Sequence, residues 1–187
     1  MVFLFVAFCG TTEKLPNPSL ADLNALSAPP MQRMATELLK SLPKEELSDK
    51  KKVTNPFRKF YLWVFPPIVK EKTYRIIVLS FTTISGKEHK LGNILAEKLT
   101  TELAKSTNMK VLDRLMYSPE LEKNDLSLNG GVVLEDLKKI GKLFSLDAIV
   151  TGIVSNNVNG LDINCRMIDP KTGYIIGAEE VFYPLNQ

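Results

Sequence analysis

Four consecutive apolar residues, Ile76-Ile77-Val78-Leu79, constrain the fold of this chain most. Successive side chains of a strand point to opposite faces, so an unbroken apolar run needs cover on both. The stretch from Arg75 to Thr83 therefore reads as a central strand. A second near-continuous run, Leu146 to Val154, reads the same way. Leu161 to Ile168 behaves differently. There Leu161, Ile163, Cys165 and Met167 share one face, while Asp162, Asn164 and Arg166 share the other. That alternation predicts a half-exposed antiparallel strand. Asp169-Pro170-Lys171-Thr172-Gly173 is turn chemistry, and Tyr174 to Tyr183 pairs back beside it.

Two amphipathic helices separate the first strands. In the first, Leu91, Ile94, Leu95, Leu99 and Leu103 form one stripe, with Lys90, Glu97, Lys98, Glu102 and Lys105 outside. Ser85 and Glu88 stand ahead of it at capping-box spacing. Met109 to Arg114 predicts the second strand, and Ser118 to Gly131 a loop. In the second helix Val133, Leu137, Ile140 and Phe144 face inward. Gly141 costs that helix about 1 kcal/mol against alanine, which close packing against the sheet would explain. The order β-α-β-α-β-β-β predicts an α/β fold over residues 71–187: a single two-layer domain with a mixed sheet of about five strands. An extra N-terminal helix is predicted from Met31, Met34, Ala35, Leu38, Leu39 and Leu42, with Pro30 in its first turn and Pro43 stopping it.

Residues 1–70 carry a net charge of +4 and residues 71–187 one of −1, so the basic excess of the chain lies in its N-terminal part. The globular part thus lacks the basic face of a nucleic-acid binder, and no nucleic-acid partner is expected. Met1 to Phe8 is apolar and ends at Cys9-Gly10. It is far shorter than the roughly 20 residues that span a bilayer. It fits the apolar part of a truncated signal peptide over residues 1–9, with an incidental hydrophobic terminus as the bland alternative. Val6-Ala7-Phe8-Cys9 is similar to a bacterial lipobox, which makes Cys9 the candidate lipidation site. Residues 10–30, with Pro16, Pro18, Pro29 and Pro30, have the composition of an extended tether. Residues 31–70 hold the N-terminal helix, a solvated Lys50-Lys51-Lys52 run and an aromatic-basic extension. That extension places Phe57, Phe60, Tyr61, Trp63 and Phe65 beside Arg58 and Lys59. Packing on the domain, contact with a partner, or lodging at a lipid headgroup boundary each fit it.

Parts for catalysis are scarce. His89 is the one histidine and reads as a solvated side chain before a helix. Cys165 reads as a small buried hydrophobe, with a bridge to Cys9 as the alternative. Neither cysteine has a partner at metal-ligand spacing. Gly130-Gly131 lacks the lysine and hydroxyl residue of a phosphate loop. Asp113, Asp147 and Asp169 lie near strand ends, where local capping is the usual role and a shared cleft the alternative. The chain is therefore expected to be no enzyme and to bind no cofactor or metal.

Several phrases resemble one family group. The strand ending in Phe81, the helix phrase Leu91, Gly92, Leu95, Ala96, Glu97 and Leu99, and the strand phrase Val111, Asp113 and Arg114 resemble FlgO-type flagellar outer-membrane lipoproteins and the related curli-secretion CsgG proteins. Gly141, Lys142 and Asp147 through Gly152 match a second phrase, and Arg166, Ile168, Asp169, Thr172 and Gly173 a third. The resemblance implies a lipid-anchored protein on the periplasmic face of the outer membrane. It would work as an assembly module, as part of a ring around a flagellum or secretion apparatus. Its partners would be copies of itself or other envelope proteins, with Phe57–Phe65 as the docking element. The polar Leu115–Gly131 connection carries no pore-forming hairpin pattern. Two other readings stay open: a periplasm-spanning regulatory lipoprotein that activates a cell-wall enzyme, and a small-molecule site lined by Asp113, Asp147 and Asp169.

Overall fold

The computed structural model describes residues 29–42, 72–126 and 133–184 of the chain. The apolar run makes β1 (Tyr74–Val78), followed by the two-residue β2 (Thr82–Thr83). Helix α2 (Lys90–Ala104) leads to β3 (Met109–Val111). Helices α3 (Arg114–Lys123) and α4 (Leu134–Leu143) then lead to the long strands β4 (Ala148–Asn157), β5 (Gly160–Ile168) and β6 (Ile175–Pro184). Ahead of them all stands α1 (Pro29–Ser41). The sheet runs β3-β1-β4-β5-β6, with β2 also paired to β4. Strands β1, β2, β3 and β4 pair in parallel, while β4, β5 and β6 form an antiparallel meander. The α/β class, the mixed sheet and the N-terminal helix stand as expected.

Cover differs between the halves of this sheet. On one face, Met31, Met34 and Leu38 of α1 and Leu91, Leu95, Leu99 and Leu103 of α2 pack on both the parallel and the antiparallel strands. On the other, Tyr117 and Leu121 of α3 and Leu137 and Ile140 of α4 pack against Ile77 and Ile149, with Ile168 at the end of β5 beside them; among the described residues the rest of β5 and β6 has no helix on this face. The two-layer arrangement thus holds over the antiparallel half, and a third layer covers β1, as its apolar run demands. Met31, Met34 and Leu38 are wholly buried, each contributing about 1.5–3 kcal/mol of apolar transfer. Close backbone approach fixes two of the seats. A Cβ on Gly92 would lie 1.9 Å from the Phe81 carbonyl oxygen, and one on Gly177 would lie 2.0 Å from Ser41 Oγ. Glycine at these places lets α2 sit on the β1–β2 link and α1 sit on β6.

Three local expectations need correction. The loop expected over Ser118–Gly131 begins instead as helix α3, so the second strand stops at Val111 and Arg114 is helical. Asp113 produces the switch: its Oδ1 accepts the Leu115 amide at 2.8 Å, the bond of an N-cap. Ser85 does not cap α2. It bonds Thr83 Oγ1 at 2.8 Å in a turn closed by Gly86 at φ 77°, and His89 caps the helix by accepting the Leu91 amide on Nδ1 at 3.2 Å. Val133, expected inward, is 60% exposed because it stands at the N-cap of α4, outside the helical stripe.

Candidate functional site

Among the described residues, no helix covers one face of the antiparallel half, and that face is the first feature. Thr151 and Ile153 of β4, Asn164 and Arg166 of β5, and Ala178, Glu180 and Phe182 of β6 share this face through their register pairs. Phe182 is 47% exposed there, and Ile175 at the start of β6 is 53% exposed. Strand β6 is also the end of the sheet, and among the described residues it pairs with β5 alone. The opposite edge, β3, spans only Met109–Val111. Among the described residues the sheet therefore has one long edge strand, β6, beside a face that none of the described helices covers, with Arg166 and Glu180 upon that face. Among the described residues neither of these two charges has an ion-pair partner.

A cleft of about 660 Å³ opens where α3 overhangs this face. It lies beyond the carboxyl end of β1 and over the middle of β4, on the side where the chain has passed from β1 to β3 and returned to β4. Its walls include Ser80, Tyr117, Leu121 and Leu126, its floor Thr151, Ile153, Asn164 and Arg166, and its rim Glu88, Glu122 and Asp125. Arg114, the first residue of α3, donates from both terminal nitrogens to Asn93 Oδ1 at 3.2 Å and also to Ser80 Oγ. These bonds tie α3 to α2 and to the β1–β2 link. Tyr117 donates its hydroxyl to the Val78 carbonyl at 2.7 Å and meets the Phe144 ring edge-on at 6.5 Å. Burial pushes the Tyr117 phenol up to about 12, with nearby Arg114 pulling weakly the other way. The cleft is thus a shaped, mixed-polarity recess, and its arginine and tyrosine are held in structural bonds.

The three carboxylates considered from sequence are not brought together. Asp113 caps α3, and Asp147 accepts the Arg75 amide at 2.9 Å at the opposite end of the parallel strands. Asp169 accepts the Lys171 amide and the Thr172 hydroxyl within its turn. None lines the cleft, so the proposed triple-aspartate pocket does not exist. Cys165 is a free, buried thiol whose ionisation is suppressed by burial. No group of three or more potential metal ligands occurs among the described residues. Cys9 and the segment Phe57, Phe60, Tyr61, Trp63 and Phe65 lie outside the described residues. Sequence reasoning missed α3 and with it the cleft. The available signal was Asp113 at a capping position followed by Tyr117 and Leu121 at helical spacing.

A model of the family described as FlgO protein matches residues 66–187. No match to a curated protein is found. Among solved structures, the chain is similar to the C-terminal domain of LpoB from Escherichia coli at 15% identity and a TM-score of 0.50, covering 68% of this chain and 95% of that one. It is also similar to the NMR structure of Escherichia coli LpoB at 15% identity and a TM-score of 0.50, covering 97% of this chain and 81% of that one. At such identities the likeness is one of fold.

Proposed function

The chain belongs to the FlgO family, and from that premise we propose that it is a lipid-anchored module of the bacterial envelope that works by assembling rather than by catalysis. Lipid on Cys9 would hold it to the outer membrane, residues 10–30 would tether it, and the α/β domain would face the periplasm. The observation that supports this reading is that, among the described residues, the long edge strand β6 pairs with β5 alone and lies beside a sheet face that no described helix covers. Exposed strand edges pair readily with another chain, and here Phe182 and Ile175 add apolar area beside the edge. The partners are copies of itself or other envelope proteins, within a ring or scaffold at a flagellum or secretion apparatus.

A second reading draws on the cleft under α3, whose mixed lining suits a protruding loop of another protein. In it the chain is a regulatory lipoprotein that reaches across the periplasm to activate a cell-wall enzyme. One experiment separates the two: native mass of the protein purified from membranes in mild detergent, beside a Cys9→Ala version. A closed oligomer, with a lipid-sized increment that the variant lacks, is the expected result. A lipidated monomer that binds such an enzyme supports the second reading, and an unmodified soluble monomer overturns both.

A further inference from the structure

Beyond both readings of the function, and independent of which holds, we infer that the cleft under α3 binds the free carboxyl end of a peptide chain, with Arg166 as its anchor. Thr151 and Arg166 are register partners on neighbouring strands, so their Cβ atoms lie about 5 Å apart. Asn164 stands two residues along β5 on the same face, about 7 Å away. The three polar side chains thus converge on one spot of the cleft floor. None of the three has a side-chain hydrogen bond or ion pair among the described residues. On β6 the register partner of Arg166 is Ala178, which offers a guanidinium nothing. Glu180 stands opposite Asn164, diagonal to Arg166, and the two charges do not pair. Arg166 therefore presents a planar fork of N–H donors that matches a carboxylate, with the Asn164 amide and the Thr151 hydroxyl as further donors beside it.

The charges around the cleft select the ligand. Arg114 and Arg166 supply two positive charges, and Glu88, Glu122 and Asp125 supply three negative ones. A polyanion such as a nucleotide is repelled by the rim, and a simple cation by the arginines. A ligand with a carboxylate at one end, an ammonium group further along and apolar groups between suits every part of the lining. Leu121, Leu126, Ile153 and Ile168 provide the apolar surface. The volume of about 660 Å³ falls within the range of small-ligand sites, about 300–1,000 Å³. The end of a peptide chain has this build. A protruding loop does not, because its backbone carbonyls carry no net charge. Free short peptides and the last residues of a protein share the chemistry.

The test is isothermal titration of the full-length protein in mild detergent, with tripeptides that begin in lysine and end in alanine, valine, leucine or phenylalanine. At least one with a free carboxylate is expected to bind, and its C-terminal amide to bind about tenfold more weakly. Arg166→Gln is expected to lose the same factor and to hold acid and amide alike. Arg166 is exposed, so the change spares the fold, and circular dichroism checks that it does. Thr151→Val, which keeps the shape and removes the hydroxyl, is expected to weaken binding by a smaller factor. A wild type that binds none of the tripeptides, or binds acid and amide equally, overturns the inference, as does full binding by Arg166→Gln. The same three residues at the end of an unrelated folded carrier separate the two sources. Affinity kept assigns the cleft to protein chain ends, and affinity lost assigns it to free peptides. Native mass judges the assembly reading separately, so an oligomer that ignores every tripeptide keeps that reading and loses this one.

Discussion

Tyr117 shows how much one side chain can hold in this molecule. Its hydroxyl satisfies the Val78 carbonyl at the end of β1, and its ring fills the space beneath α3. Replacing it with Phe leaves that carbonyl unsatisfied and is expected to cost about 1–2 kcal/mol in chemical denaturation at pH 7. The cost depends on pH. Below pH 10 both the folded and unfolded chains keep the phenolic proton, so the full advantage of tyrosine is present. Between pH 10 and about 12 only the unfolded chain releases it. Wild-type stability therefore falls across that window by about 1.4 kcal/mol per pH unit relative to Tyr117→Phe, so the two stabilities meet within it and then cross. Residues of this kind are hard to read from sequence. Tyr117 stands two positions before Pro119, and Leu115 and Met116 beside it are 82% and 67% exposed, so no apolar stripe announces a buried face. His89 was opaque for a related reason: Ser85 has the better capping chemistry, but the turn at Thr83–Lys87 consumes its hydroxyl.

Elements that pack by close backbone approach were legible as elements and illegible as contacts. Gly141 signalled that α4 touches something, yet its neighbour is not the sheet. A Cβ there would meet Pro170 Cβ at 2.5 Å, so α4 is seated against the turn between β5 and β6. Gly141→Ala is expected to destabilise by about 1–2 kcal/mol despite its better helix propensity. Adding Pro170→Ala should recover most of the loss, and a double-mutant cycle measured by thermal unfolding gives the coupling. Helix α1 was read correctly because its periodicity is strong, whereas its seat on β6 follows from a strand order the sequence does not state. Leu38→Ala opens a cavity in that seat and is expected to cost about 2–5 kcal/mol. Hydrogen exchange should rise first in β6 and not in β3, because α1 sits on β6 and β3 stands at the opposite edge of the sheet. Helix α3 escaped notice because Pro119 reads as a breaker. Its missing amide forfeits a bond to the Leu115 carbonyl, and Leu115 lies at the solvent-facing surface of the helix.

Across the whole molecule, the described helices cover the parallel half on both faces and the antiparallel half on one, and of the two edge strands of the described sheet the longer is β6. The strand patterns foretold the difference through continuous apolar runs in β1 and β4 and alternation in β5. They could not foretell which strand stands last. If opposite charges align the copies, association should weaken as salt rises from about 0.05 to 0.5 M, since exposed ion pairs are screened over a few ångströms at the higher concentration. Light scattering over such a series is expected to show the mass falling toward that of one chain. The order of the strands also dictates when the core can close during synthesis. Helix α1 comes first in the chain but takes its seat on β6, and β1 must wait for β4 to gain its second neighbour. A chain emerging from the ribosome or threading a translocation channel therefore has no complete core until its last strand is free. Its early apolar segments stay unburied throughout, which keeps the protein in a state that can still be threaded and makes it a client for whatever shields such segments along the way.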